Sequence, residues 1–168
     1  TSDHGEQFGE HGLFDHGTSL YRPLVEVPLV IFPADDNSRG VRIEEPVTLC
    51  DLPATIMDLV GISDQTVFPG NSLRSYWQPD IAEDISPRPV LAELTTGGKI
   101  VPSWYPIASG DMQAIVHEGL FYIRNGDDRE ELYDYFGDTN EEINLAEKKA
   151  YYQQLLAARS ALDEALSL

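Results

Sequence analysis

Seventeen residues at the head of the chain, Thr1-Ser2-Asp3-His4-Gly5-Glu6-Gln7-Phe8-Gly9-Glu10-His11-Gly12-Leu13-Phe14-Asp15-His16-Gly17, constrain its fold more than any other stretch. Three of the four histidines in the chain lie here, interleaved with four carboxylates and four glycines. Glycines allow positive φ and a close backbone approach to a ligand, so this composition describes a loop. Val27-Pro28-Leu29-Val30-Ile31-Phe32 follows and reads as a short buried strand. A polar, glycine-rich loop feeding such a strand fits a site at the rim of an α/β sheet.

The remaining pattern alternates helix and strand signals. Ala34–Gly40 is turn chemistry, and Val41–Pro46 is a short strand or an extended connection. Asp51 is placed as an N-cap, with Pro53 in the first turn. Leu52, Ile56, Leu59 and Val60 then have helical spacing, predicting a face packed on a sheet, and Gly61 ends the helix. Residues 63–89 form a long connection rich in proline, carrying one helical turn near Leu73–Trp77. A boundary near residue 85 divides a first part, residues 1–85, from a second, residues 86–168.

In that second part Val90–Leu94 reads as a strand and Thr95–Gly110 as a loop. Gln113–His117 and Leu120–Arg124 alternate apolar and polar residues around Glu118-Gly119, a hairpin signal. Residues 131–135 supply a third strand. Asn144 and Glu147 have capping-box spacing, and Tyr151, Leu155, Ala158, Leu162 and Ala165 make the apolar stripe of a final helix.

Charge narrows the partners. A formal net charge of −18 argues against a nucleic-acid surface, which needs clustered Lys and Arg. The same excess repels a sulfate or phosphate ester unless a cation or placed basic groups screen it locally. Cys50 is the sole cysteine, which rules out an internal disulfide, and its neighbours Leu49, Leu52 and Ile56 predict a buried thiol. No run approaches the ~18 apolar residues of a membrane span. The chain starts at Thr1 with its richest motif and no preceding strand, as expected of a piece whose N-terminal part lies elsewhere.

The loop itself points to metal-assisted chemistry. Imidazole and carboxylate are donors that divalent ions accept, and adjacent Asp3 and His4 can reach one ion. A hydrolytic centre usually needs three or four ligands, so others come from Glu6, Glu10, His11, Asp15 or His16, or from outside these residues. His117 sits in a predicted hairpin strand and has a structural reading. Neither a phosphate-binding P-loop, nor a dinucleotide fingerprint, nor a Gly-x-Ser-x-Gly elbow is present.

Thr1-Ser2-Asp3-His4-Gly5-Glu6, Gly9-Glu10-His11-Gly12-Leu13, His16-Gly17, Leu20-Tyr21 and Val27-Pro28-Leu29-Val30 closely resemble the second metal-binding segment of the sulfatases, in the alkaline-phosphatase-like superfamily. Val47–Gly61 with Asp51-Leu52-Pro53-Ala54-Thr55, then Gly70-Asn71-Ser72-Leu73, resemble later motifs of that family. So does the ending formed by Glu131-Leu132-Tyr133-Asp134, Asp138, Glu141 and Asn144-Leu145-Ala146.

The resemblance implies the C-terminal part of an alkaline-phosphatase-like α/β sandwich, completed by a small antiparallel sheet with a C-terminal helix. Asp3 and His4 match two ligands of a divalent cation, calcium by family. Imidazole at His4 also suits manganese or zinc. His16 matches the Lys-or-His position that contacts the transferred group; His11 matches no catalytic position of the family, and its place in the loop makes it a supporting residue. The implied reaction is hydrolysis of a small-molecule or glycan sulfate ester. Its formylglycine nucleophile, in a Cys/Ser-x-Pro-x-Arg segment, and two aspartate ligands belong to an N-terminal part not among these residues; Cys50 does not fit that spacing. These 168 residues alone are therefore expected to be inactive. Asp-His in place of Asp-Asn also occurs in relatives resembling phosphonate monoester hydrolases and phosphodiesterases, the alternative activity. A non-catalytic module binding through its acidic surface is the other. Relatives include exported and lysosomal proteins, and the sequence assigns no compartment.

Overall fold

The computed structural model describes residues 1–33, 40–62, 68, 70–78, 89–98 and 100–167. The elements are β1 (Gln7–Phe8), β2 (Phe14–Asp15), α1 (Arg22–Val25), α2 (Asp51–Leu59), β3 (Val90–Leu94), β4 (Met112–His117), β5 (Leu120–Arg124), β6 (Glu130–Asp134) and α3 (Tyr152–Leu166). Contacts group them into two units, Thr1–Leu29 with Pro89–Leu168, and Val30–Arg88. The boundary expected near residue 85 and most of the Ala34–Gly40 turn lie outside the described residues.

The first unit is built on the antiparallel sheet β3-β4-β5-β6. Register alternation sends its side chains to two faces. Ile115, Tyr122 and Leu132 stand in one cross-strand row and meet Leu145, Leu155, Ala158, Ala161 and Leu162, so the expected α3 stripe packs here. On the opposite face Met112, Ala114, Phe121, Ile123 and Tyr133 meet Leu13, Leu20, Tyr21 and Ile107. The histidine loop is thus laid on one side of the sheet and α3 on the other. Turn residues Glu118 and Gly119 both have positive φ, 49° and 76°, as a two-residue hairpin turn requires.

Asn144 does not cap a helix. Its Oδ1 accepts from the backbone of Leu132 and Ala146, binding the loop before α3 to the edge of β6. A single-turn 3₁₀ segment, Lys149–Tyr151, leads into α3 instead. The long connection does carry a helical turn, Leu73–Tyr76.

One further expectation is corrected. Val27–Phe32 pairs with no strand among the described residues; Val30 and Phe32 are 64% and 89% exposed. A central strand needs ladder neighbours on both sides, and Pro28 offers no donor to one. Of the two forms expected for Val41–Pro46, the structure has the extended connection and not the strand.

In the second unit α2 forms as expected, beginning after Cys50 rather than at an Asp51 cap. Its end is closed by Ile62 N–H to Met57 O and Gly61 N–H to Asp58 O, with Gly61 at φ 75°. Its buried face, however, is Asp51, Ala54 and Thr55, while Ile56 is 58% exposed. Hydrogen bonds decide this orientation. Thr55 Oγ1 accepts from Leu73 N–H (2.9 Å), Asp51 Oδ1 from Asn71 N–H (2.9 Å), and Asp58 from Ser72 Oγ (2.6 Å) and Arg74 Nη1 (3.2 Å). Cys50 is exposed, not buried, and stands at the N-cap position of α2.

Candidate functional site

The loop is stiffened by its own short ladder. Gln7 pairs with Asp15 and Phe8 with Phe14 across a turn at Glu10–Gly12. Glu10 Oε2 accepts the Phe8 N–H at 2.7 Å, and backbone N–H groups of Glu10 and Phe8 hold its carboxyl below the usual range. Glu10 is therefore spent inside the turn and does not reach His16. His11 and Asp15 have φ of 55° and 76°, conformations that side chains adopt only when their surroundings hold them.

Asp3 and His4 stand at the open edge. Asp3 Oδ2 is 3.7 Å from His4 Nε2, and the Asp3 side chain is 89% exposed. His4 Nδ1 lies 2.8 Å from the Gly5 carbonyl. A carbonyl only accepts, so Nδ1 carries the proton and Nε2 is the nitrogen left to bind. Chiefly that carbonyl, with help from Asp3 and Glu6, raises the His4 pKa.

His16 stacks on His4, with ring centroids 4.3 Å apart and 25° between planes. Its Nδ1 is 3.0 Å from Glu6 Oε2 and 3.3 Å from Asp15 Oδ1. Asp15 Oδ1 also accepts the His16 backbone N–H at 2.9 Å. Donor atoms of Glu6, Asp15 and His16 lie within 4.8 Å of one another, a set able to hold an ion. Five donor residues thus converge on one patch: Asp3, His4, Glu6, Asp15 and His16.

The donor chemistry fits a divalent cation. A separation of 3.7 Å suits two ligands that each approach one ion at about 2.0–2.3 Å. His4 has its second nitrogen bonded to a carbonyl, the arrangement that fixes the tautomer of a ligating histidine.

His11 lies apart from this patch. Its ring stacks on Tyr21 (3.8 Å, 8°) and its Nε2 lies 3.2 Å from Glu141 Oε2. The Glu141 carboxylate, 1% exposed, also accepts the Arg22 N–H at 3.0 and 3.2 Å. Sequence reasoning placed Glu141 in a terminal motif without giving it a task. No local signal joins residues 130 positions apart, and only the fold shows the pairing.

The chain has the fold of a 2-O GAG sulfatase structure, with TM-score 0.83 and 23% identity over 98% of this chain and 35% of that one. A phosphonate monoester hydrolase of Agrobacterium radiobacter aligns less closely, with TM-score 0.52 and 18% identity over 70% of this chain and 24% of that one. Together these define the C-terminal part of an alkaline-phosphatase-like α/β fold. The family model described as Sulfatase matches residues 1–62, a stretch that takes in Asp3, His4, Glu6, Asp15 and His16. The protein named uncharacterized sulfatase YidJ, from Escherichia coli, is 30% identical over 146 residues. That match takes in 86% of this chain but 27% of its relative, so the chain spans little more than a quarter of the relative's length.

Proposed function

We propose that this chain supplies the second half of a cation-assisted site that hydrolyses sulfate esters. The carrying observation is the juxtaposition of Asp3 and His4, 3.7 Å apart, with the His16 ring stacked on His4. Asp3 Oδ and His4 Nε2 would hold the divalent ion. Calcium follows from the family, and manganese or zinc from the imidazole donor. When bound, such an ion neutralises ester oxygens and the charge that develops on the leaving oxygen.

The protein's own residues do the positioning. Glu6 and Asp15 hold His16 by Nδ1, leaving Nε2 without a hydrogen-bond partner among the described residues. His16, carrying a proton there, donates to an oxygen of the transferred group and adds the positive charge that an acidic surface lacks. The formylglycine nucleophile implied by the family resemblance would come from residues outside these 168. This chain alone therefore gives no turnover.

Glycan sulfate esters are the first substrates to assay, given the shared fold with a 2-O GAG sulfatase. A second reading, phosphonate monoester or phosphodiester hydrolysis, is favoured by His4 beside Asp3 and by the structural likeness to a phosphonate monoester hydrolase.

The test is hydrolysis of aryl sulfate, aryl phosphonate and phosphodiester by the product of the complete reading frame. Sulfate turnover that disappears with chelation and in Asp3→Ala and His16→Ala supports the proposal. Preference for phosphonate or diester moves the assignment to the second reading. Absence of ester hydrolysis, or turnover indifferent to Asp3, overturns both.

A further inference from the structure

We infer that Glu141, in the loop between β6 and α3, is a positioning residue that sets the conformation of the histidine loop from the far side of the sequence. The inference rests on reading that loop as a cation site. Glu141 itself sits at φ 55° with its carboxylate buried, a costly state for an acidic residue. What it receives there explains its place.

Two arms leave this one carboxylate. The first runs through the Arg22 N–H, the opening amide of α1, which has no partner within its own helix. Helix α1 in turn offers the Leu24 carbonyl to the Gly5 N–H at 2.9 Å. Gly5 lies so flat on α1 that a Cβ there would stand 1.9 Å from Pro23 O. Asp3 and His4 immediately precede that contact. The second arm runs through His11, held between the Tyr21 ring and Glu141 Oε2. His11 is the centre of the Glu10–Gly12 turn, which carries the β1-β2 ladder and therefore Asp15 and His16.

One carboxylate thus addresses both ends of the donor patch. Arg22 adds a third tie by donating to the Tyr135 carbonyl while its guanidinium lies 4.5 Å over the Tyr135 ring. The region after β6 is accordingly part of the site's scaffold.

Residue-resolved amide hydrogen exchange of the 168-residue chain, with a Mn²⁺ titration read by broadening of the His4 and His16 ring signals, tests this. In Glu141→Ala the Gly5 and Leu13 amides exchange about tenfold faster or more, as loss of a charge-assisted hydrogen bond in a locally opening segment requires. Ile115 and Ile123, in strands with neighbours on both sides, keep wild-type rates. The Mn²⁺ concentration for half-broadening rises about tenfold, the scale seen when support of a ligand is removed. A control, Glu130→Gln, leaves that concentration unchanged.

Should Glu141→Ala fail to fold, two milder variants carry the test. Glu141→Gln keeps an acceptor for Arg22 and retains Gly5 protection. His11→Phe keeps the stack on Tyr21, loses the Glu141 pairing, and speeds Leu13 exchange alone. Equal acceleration in sheet and loop, no acceleration in the loop, or an unchanged half-broadening concentration in Glu141→Ala overturns the inference. A wild-type chain indifferent to Mn²⁺ but showing the predicted exchange pattern sinks the cation reading and leaves the positioning role standing.

Discussion

The Tyr21 hydroxyl, at the end of the histidine loop, donates to Glu131 Oε2 at 3.1 Å in the middle of β6. Tyr133 Oη and Asn125 Nδ2 also donate to this buried carboxylate, and Arg129 Nη2 approaches to 3.7 Å. Burial, together with the adjacent Glu131 charge, pushes the hydroxyl pKa of both tyrosines well up, so each remains a donor. The loop is therefore joined to the sheet by a polar network set within an apolar face, in which the buried Asn125 Oδ1 has no partner among the described residues.

Tyr21→Phe removes one donor and leaves the others in place. It is expected to lower stability by about 1.5–3 kcal/mol, the worth of a hydrogen bond to a charged group. A denaturant midpoint that falls while the slope stays constant is the predicted reading. An unchanged midpoint would show that the loop does not need this tie.

Glu130 gives a pH prediction. Arg159 forks onto its carboxylate and Tyr122 Oη donates to it at 2.6 Å. Chiefly the Arg159 hydrogen bonds, then Tyr122, hold the Glu130 pKa below the ordinary value against the effect of burial. A carboxylate with a lower pKa folded than unfolded stabilises fully above the unfolded value, about 4.3, and loses that contribution as pH falls through the folded one. Glu130→Gln should cost about 1–2 kcal/mol at pH 7, since Arg159 is partly exposed and solvent screens the pair. The gap from wild type should close as pH falls below about 4. A gap constant from pH 7 to pH 3 would contradict the assignment.

Much of this was legible in the sequence. Alternation located β4 and β5, and the stripe of Tyr151, Leu155, Ala158, Leu162 and Ala165 faces the sheet as expected, because both patterns are local. The same reasoning failed on α2, where spacing identified the helix but chose the wrong face. Thr55, Asp51 and Asp58 take backbone and side-chain partners from residues 71–74, and periodicity cannot see such long-range hydrogen bonds. Val27–Phe32 failed for a related reason, since a strand exists only with a neighbour. In the loop, residue types marked Asp3 and His4 as candidate donors with Glu6, Glu10, His11, Asp15 and His16 left open, and the family resemblance alone set His16 apart, whereas Glu6 as a holder of His16 and Glu141 as a holder of His11 emerged only from the fold.

Gly5 is predicted to be intolerant of any side chain. A Cβ would meet the Pro23 carbonyl at 1.9 Å, so Gly5→Ala must lift the loop from α1 and break the bond to Leu24. A loss of about 1–3 kcal/mol follows from such overpacking. Loss of Gly5 amide protection, with the sheet amides unaffected, would confirm that the damage is confined to the loop.

The hairpin turn offers a stabilising change. Glu118 holds φ 49°, where Asn is far better tolerated than Glu. Glu118→Asn should raise stability by about 0.5–1 kcal/mol, seen as a higher melting temperature. A fall would show that the Glu118 side chain has a task that the turn geometry does not reveal.

The central claim is that Asp3 and His4 hold a divalent cation with His16 alongside. The most direct measurement is a Mn²⁺ titration of this chain against Asp3→Ala, followed by the NMR signals of all four histidine rings. The account predicts saturable broadening concentrated on His4 and His16, weaker at His11, negligible at His117, and abolished in Asp3→Ala. Uniform broadening of all four rings, or an identical response from Asp3→Ala, would contradict it.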